Sequence, residues 1–278
     1  MLVSFDLDGV LQRNPFHSSS PHGVFGHIKR ELGPYAGHSD PEAAANAALE
    51  MVLAEHQRLM HSGLLVEAHD WDAILDTVIT RLGYPGRLNV ADLVTEYCEK
   101  PGLVWLYEGA QECLQQLTAA GHTLVTITNG FRCYQEPVLR KLGILAQFCA
   151  VITPEAVGAA KPQAPIFQAA EAFGGKGIHI GDTLPHDIAG AKRAGWRGIY
   201  VVQPGAPGYS ELDPTLAPLL PWERPAKGTD WLRHRLDVDR RWHGHPPVTL
   251  EECIPDAIVT SLAEVPATVA ALSSAPLT

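Results

Sequence analysis

The spacing of apolar residues changes character near residue 108. Before it, they recur at helical intervals. Ala44, Ala48, Met51, Val52 and Leu59 form one side of a segment running from Pro41 to about Ser62. Asp40-Pro41-Glu42 opens that segment as a helix start: a capping carboxylate, a proline at the first helical position and an acid near the positive end of the dipole. Gly63 ends it. Ile74, Leu75, Val78, Ile79 and Leu82 predict a second helix over Trp71–Leu82, closed by Gly83. A third fits Val90–Cys98 behind Asn89. The stretch 12–38, rich in Ser, Pro, His and Gly, reads as loop with a short helix at Val24–Leu32. Residues 15–102 are thus expected to form a helical domain with no convincing strand.

From Glu108 onward short β-branched runs alternate with helical ones. Strands are predicted at Thr123–Thr128, Phe148–Thr153, Gly177–Asp182 and Gly198–Val202. Between them come helices at Ala110–Ala119, Tyr134–Leu142, Pro165–Phe173 and His186–Ala194. Asp256–Ser261 reads as a last strand, followed by a helix over Pro266–Leu272. The apolar run at the N-terminus, Val3-Ser4-Phe5, is a further strand. This βαβα rhythm predicts an α/β fold, a Rossmann-like parallel sheet with helices on both faces and right-handed crossovers. The expected domains are an α/β core at 1–14 and 103–278 and the helical domain at 15–102 inserted into it. Residues 203–252 break the rhythm with eight prolines and three of the six tryptophans, Trp222, Trp231 and Trp242.

A chain of 278 residues, 46% hydrophobic and 19% charged, has ample material for such a core. Its net charge of −10 disfavours nucleic acid or an anionic membrane surface as a main partner. No apolar run approaches the roughly 18 residues of a membrane span. The first strand is expected to begin by Leu2, so no signal or transit peptide is expected in this sequence. Five scattered cysteines without a Cys-x-x-Cys pair predict free thiols in a reducing cytoplasm, with neither a disulfide framework nor a zinc site.

The candidate chemistry lies at strand ends. Asp6 and Asp8 straddle Leu7 after the first strand, with Gly9 next. In extended backbone alternate side chains share a face, so the two carboxylates can point to one place. Two like charges that close call for a cation between them, and oxygen ligands suit Mg2+. Alone, Asp8-Gly9 is also an ordinary turn signal. Three further segments shift the balance: Ile127-Thr128-Asn129-Gly130, Ala160-Lys161-Pro162, and Gly181-Asp182-Thr183-Leu184-Pro185-His186-Asp187. Asp6, Thr128 and Asp182 each fall at the carboxyl end of a predicted strand, where open α/β sheets bind ligands. An aspartate can attack phosphorus and form an acyl phosphate. A hydroxyl and a lysine can hold the phosphoryl oxygens, and further carboxylates can hold the metal.

This ordered set resembles the four motifs of the haloacid dehalogenase superfamily, in particular its phosphohydrolases with a helical cap inserted after the first motif. The resemblance covers residues 3–202, and Asp256–Ser261 looks like the family's closing strand. It implies a Mg2+-dependent phosphatase acting on a small phosphate ester. Asp6 would be the nucleophile, and Asp8 the general acid and then the base that activates water. Thr128, Asn129 and Lys161 would meet the substrate phosphate, with shaping of the turn as the alternative for Asn129. Asp182 would ligate Mg2+ directly, with Asp6 and the Asp8 main-chain carbonyl. Asp187 would ligate it through water or orient Lys161, with capping of the following helix as its structural alternative. Residues 15–102 would be the cap. Asp8 separates this pattern from family members that cleave carbon–halogen bonds, which lack an acid there. A sugar-phosphate mutase of the same family, and a catalytically silent binding protein on the same fold, are the competing readings.

Other residues carry weaker signals. His17, His22, His27 and His38 crowd the segment after the first strand and read mostly as solvated loop residues. Arg13 is a candidate phosphate contact. Glu67, His69 and Trp71 could line the cap, with Trp71 equally a core residue. His186 is expected to be an exposed loop histidine. The Pro- and Trp-rich segment is expected to rim the site or form a subunit contact, or else to pack on its own core. Its six Lys/Arg and four Asp/Glu within 222–245 nearly cancel, so it is no nucleic-acid patch.

Overall fold

Leu2–Phe5 (β1) is buried at all four positions, which requires cover on both faces of the sheet it joins. A computed structural model describes residues 1–16, 22–204, 211–243 and 248–274, without the side chains of Arg241, Trp242 and His243. His17, Pro207, Pro246, Pro247 and the Trp242 side chain lie outside the described residues. The chain divides into two compact units, Met1–Gln12 with Leu106–Asn129 and Ile144–Thr278, and Arg13–Trp105 with Gly130–Gly143. It passes from one to the other first through Gln12–Arg13 (β2) and Trp105–Leu106 (β3), which pair as a short two-stranded sheet.

The larger unit is built on six strands. Thr123–Ile127 (β4), Ala150–Ile152 (β5), Ile178–Gly181 (β6), Arg197–Val201 (β7) and Ala257–Val259 (β8) join β1 in the order β5-β4-β1-β6-β7-β8. All neighbouring pairs are parallel. The fold is therefore the α/β Rossmann-like sheet expected from the sequence. Phe5 stands opposite Thr126 on one side and Ile180 on the other. This register sets the carboxyl ends of β4, β1 and β6 side by side. The chain builds outward from β1 through β4 to β5, then returns to β1's other side as β6. Such a switch of direction opens a crevice at the strand ends.

The smaller unit is helical. Val24–Leu32 (α1), Pro41–His61 (α2), Trp71–Leu82 (α3) and Val90–Cys98 (α4) form where the apolar spacing predicts them. Their side chains Val24, Ile28, Leu32, Ala48, Val52, Ile74, Leu75, Val78 and Val94 share one core. The expected caps are present: Asp40 Oδ1 accepts the Ala43 N–H at 2.7 Å, and Asn89 Oδ1 the Asp92 N–H at 2.8 Å. Gly83, at φ +65°, supplies the left-handed residue that closes α3.

Ala110–Ala119 (α5) packs on β4 in the sheet unit. Arg132–Lys141 (α6), expected from the sequence to be a crossover in the sheet domain, instead places Tyr134 and Val138 in the core of the helical unit. After Pro154–Val157 (α7), helix Ala164–Ala170 (α8) buries Ile166 and Phe167 against Leu2, Val125 and Ile127. A π-wound turn at Leu184–Ile188 leads into Ala189–Arg193 (α9).

The segment after β7 is more regular than its prolines suggest. It holds Arg224–Lys227 (α10) and Thr229–His243 (α11) before the final helix Val265–Ser274 (α12). Leu232 and Leu236 of α11 pack with Leu184, Ile188 and Tyr200. Of the two expectations for this segment, the described residues match packing on the protein's own core. Among the described residues no helix is long and apolar enough to cross a membrane.

Candidate active site

The end of β1 delivers Asp6, whose N–H donates to the Ile180 carbonyl at 2.8 Å and so extends the strand pairing by one residue. The chain then turns at Gly9, with φ +84°. Any Cβ at Gly9 would collide with the Asp182 carboxylate, so only glycine permits the turn and the close approach together. Gly181, the last residue of β6, has a Cβ position already filled by the Asp187 side chain. These two glycines let carboxylates from different segments crowd into one place.

Asp6, Asp182 and Asp187 offer oxygens that all lie within 4.8 Å of one another. Lys161 Nζ enters the cluster, 2.8 Å from Asp6 Oδ1 and 2.6 Å from Asp187 Oδ1. The Lys161 side chain is 3% exposed and that of Asp187 fully buried. The structure thus brings Asp6, Lys161, Asp182 and Asp187 together, and Thr128 directly follows β4, the strand next to β1, buried, with its N–H on the Ile152 carbonyl. The Asp8 carboxylate is not in the three-carboxylate cluster; its Oδ1 accepts from Gln12 Nε2 at 3.4 Å.

The Asn129 side chain meets the Lys161 peptide. Its Oδ1 accepts the Lys161 N–H at 2.7 Å, and its Nδ2 donates to the Lys161 carbonyl at 3.1 Å. The amide clamps the Lys161 peptide to the end of β4. Asp187 does not cap α9. Its Oδ2 takes the Thr183 N–H at 2.9 Å and the Thr183 hydroxyl at 2.6 Å, while Oδ1 faces Lys161. His186, expected to be exposed, is 7% exposed within the π-wound turn. The other histidines of that group divide: His22 and His38 are exposed, whereas His27 is half-buried on the Tyr97 hydroxyl at 3.1 Å. Arg13 lies over the Trp105 ring, Glu67 is exposed, and Trp71 stacks on His56 against the helical core.

His179 was missed. It sits on β6, fully buried, with Nε2 3.0 Å from Asp187 Oδ1 and Nδ1 2.8 Å from Ser4 Oγ. Burial lowers its pKa. A neutral ring facing a carboxylate carries its proton on Nε2, leaving Nδ1 to accept from Ser4. Lys161 and His179 therefore both donate to one oxygen of Asp187. A polar residue in the middle of a fully buried strand was the available signal.

The electrostatics follow from burial and crowding. Burial, then the Asp187 and Asp8 charges, raise Asp6 to about 6 against the pull of Lys161. Asp182 is pushed well above the usual carboxylate range by burial and by the charges of Asp6, Asp187 and Asp239. Burial pulls Asp187 up as well, but Lys161 and the His179 hydrogen bond outweigh it and hold its carboxyl well below that range. Burial would lower Lys161, yet Asp187 and Asp6 keep it protonated. Three crowded carboxylates, Asp187 buried and Asp6 and Asp182 partly so, leave the cluster around one ammonium short of positive charge. Hard oxygen donors with that deficit fit a divalent cation such as Mg2+.

Comparison with known proteins agrees with this arrangement. Residues 1–195 match the haloacid dehalogenase-like hydrolase family. A glyceraldehyde 3-phosphate phosphatase from Methanopyrus kandleri is 31% identical over 145 residues, 50% of this chain and 61% of that protein. A phosphoglycolate phosphatase from Agrobacterium fabrum is 35% identical over 106 residues, 36% of this chain and 45% of that protein. The match thus spans about half the length of these relatives. Among solved structures, a phosphatase of this type from Thermococcus onnurineus superposes with a TM-score of 0.57 at 25% identity, over 76% of this chain and 91% of that one. The L-2-haloacid dehalogenase from Xanthobacter autotrophicus, at 17% identity and TM-score 0.56, shares the fold over 97% of this chain and 99% of that one. With the family matched across the sheet's first four strands in chain order and all four motif segments, the chain belongs to the haloacid dehalogenase-like hydrolases.

Proposed function

We propose that the protein is a Mg2+-dependent phosphatase acting on a small phosphorylated metabolite through a phosphoryl group carried on Asp6. The observation that carries this reading is the buried Lys161 ammonium set 2.8 Å from Asp6 and 2.6 Å from Asp187 inside a cluster of three carboxylates. Lys161 opposes the protonation that burial favours at Asp6 and fixes the direction of its carboxylate, as a nucleophile requires. The relatives named as phosphatases of glyceraldehyde 3-phosphate and phosphoglycolate support the substrate class.

In this mechanism Asp6 attacks phosphorus and the bond to the leaving oxygen breaks. Asp8 gives its proton to the departing alcohol. Asp8 then takes a proton from the water that attacks the acyl phosphate, releasing inorganic phosphate and restoring Asp6. Lys161 and the Thr128 hydroxyl bind the phosphoryl oxygens, whose charge must be balanced in transfer. Asn129 positions Lys161 through its main chain. Asp187 orients the Lys161 ammonium, and His179 in turn orients Asp187. Asp6, Asp182 and the Asp8 carbonyl would hold Mg2+, which supplies charge neutralisation so that an anionic nucleophile can meet an anionic ester.

The helical unit is proposed as the cap that selects the leaving group. The five cysteines are free thiols, two of them exposed, which fits a reducing compartment such as the cytoplasm. The test is phosphate release from a panel of nucleotides, sugar phosphates and phosphoglycolate, with and without Mg2+. Release that depends on Mg2+ is expected for at least one small ester. No release from any of them, including a generic aryl phosphate, would overturn the reading.

A further inference from the structure

The loop that carries Asp182 and Asp187 is held from outside by a helix that the family motifs do not include. The π-wound turn begins at Leu184, so the Leu184 N–H has no partner in the turn itself. Asp239 of α11 takes it, through Oδ2 at 2.9 Å. The other oxygen of Asp239 pairs with the Arg235 guanidinium at 2.8 Å. Arg235 Nε donates to the Tyr200 hydroxyl at 2.6 Å. Tyr200 lies on β7 directly opposite Gly181, the residue before Asp182. The links close a ring around the loop: Gly181, Tyr200, Arg235, Asp239 and Leu184.

All three side chains of this ring are buried, Asp239 at 1%, Tyr200 at 2% and Arg235 at 7% exposure. A buried ion pair contributes little net stability, and apolar residues of similar size commonly serve a fold as well or better. Around Asp239 and Arg235 the helix does use apolar anchors, Leu232 and Leu236, which pack on Leu184 and Ile188. Packing alone therefore does not account for the charged pair. The hydrogen bonds do. Asp187 fixes the Thr183 N–H from within the loop, and Asp239 fixes the Leu184 N–H from outside it. Two successive peptide groups are thereby pinned between the two acidic residues of the loop.

We propose that Asp239 is a positioning residue for the loop bearing Asp182 and Asp187, and that the Asp239–Arg235–Tyr200 chain raises the affinity of the carboxylate cluster for a divalent cation. The inference rests on the Mg2+-phosphatase reading but concerns residues outside its four motifs. Groups that orient metal ligands without touching the metal commonly change affinity by about 10- to 100-fold when removed.

The test is calorimetric titration of Mg2+ alone into the metal-stripped full chain, at a temperature well below its Tm, for wild type, Asp239→Ala and Asp239→Asn. Asp239→Ala is expected to raise the Mg2+ Kd by about tenfold or more. Asp239→Asn keeps an oxygen for the Leu184 N–H and is expected to recover most of that loss. Phosphate-release kinetics at saturating Mg2+ should return most of the Asp239→Ala activity, so the defect lies in cation binding. A variant with lowered Tm but an unchanged Kd would make Asp239 merely structural and overturn the proposal. An Asn variant as weak as the Ala variant would overturn the hydrogen-bond account. Should Asp239→Ala not fold, Tyr200→Phe carries the test: a raised Kd is expected, and an unchanged one contradicts the chain. A wild type that binds Mg2+ and releases phosphate while Asp239→Ala binds as tightly refutes this inference alone. A wild type that does neither refutes the functional reading beneath it.

Discussion

Glu55 in the helical unit is 5% exposed, yet its two partners, Arg58 and Arg81, are 55% and 52% exposed. Its charge is thus led out to water by long side chains. In the sheet unit Lys161 and Asp187 are 3% and 0% exposed and pair with each other inside the protein, beside Asp6 and His179. The helical core is otherwise built of Val, Leu, Ile and aromatic residues, with Phe16, Phe25 and Trp71 in mutual edge and tilted contacts. One unit leads charge out of its interior and the other concentrates it beyond the ends of β1 and β6. A fold that only had to be stable would not retain the second arrangement, because uncompensated buried charge costs free energy. Chemistry is the physical reason to keep it.

The sharpest break between the two regions is expected at Asp6. Asp6→Asn removes the proposed nucleophile and should lower phosphate release by at least about a thousandfold. The same change relieves like-charge crowding, so the Tm of the metal-free protein should hold or rise. A large fall in Tm would contradict the claim that this cluster is strained by its charges. Lys161→Met comes next. It strands Asp6 and Asp187 without their cation and should destabilise the protein by about 3–5 kcal/mol, read by denaturant unfolding.

Stability against pH is a smaller effect with a definite sign. Asp6, raised to about 6, and Asp182, also raised, hold protons in the folded chain that the unfolded chain releases above about 4. Without metal, stability should therefore fall as pH rises from about 4 through about 6. Asp187 is shifted the other way, so its contribution is complete above the ordinary carboxylate range and lost only as pH falls below it. Tm measured without metal should drop from about pH 5 to about pH 7, and excess Mg2+ should remove the drop. A flat or rising profile would contradict the raised carboxylates. Least is expected from Arg81→Ala, the exposed partner of Glu55, at no more than about 1 kcal/mol. A cost close to that of Lys161→Met would erase the comparison.

Much of this was legible in the chain because local signals and tertiary needs coincide. Trp71–Leu82 and Val90–Cys98 have an apolar stripe, a capping residue and, for the first, a closing glycine, and both form over those bounds. Asp6, Thr128 and Asp182 were readable as a set because strand ends in a parallel sheet are brought together by its topology. What escaped had its signal masked. On α11 the buried face alternates Leu232 and Leu236 with Arg235 and Asp239, so its pattern resembles a solvated charged segment, and the flanking prolines strengthen that impression. His179 looked like a strand residue because the partner that explains it, Asp187, is brought under it by the turn after β6. Asn129 could be placed at the site, but only the structure shows its amide closed on the Lys161 peptide. Pairings across the fold have no local pattern to reveal them.

The central claim is that phosphorus is carried for a time on Asp6. Rapid acid quench of the wild-type enzyme during turnover of an accepted phosphate ester with Mg2+, followed by peptide mass spectrometry, reads it directly. The account expects one phosphoryl group on the peptide containing Asp6, absent in Asp6→Asn. Turnover with no phosphorylated peptide, or with the group on another residue, would contradict it.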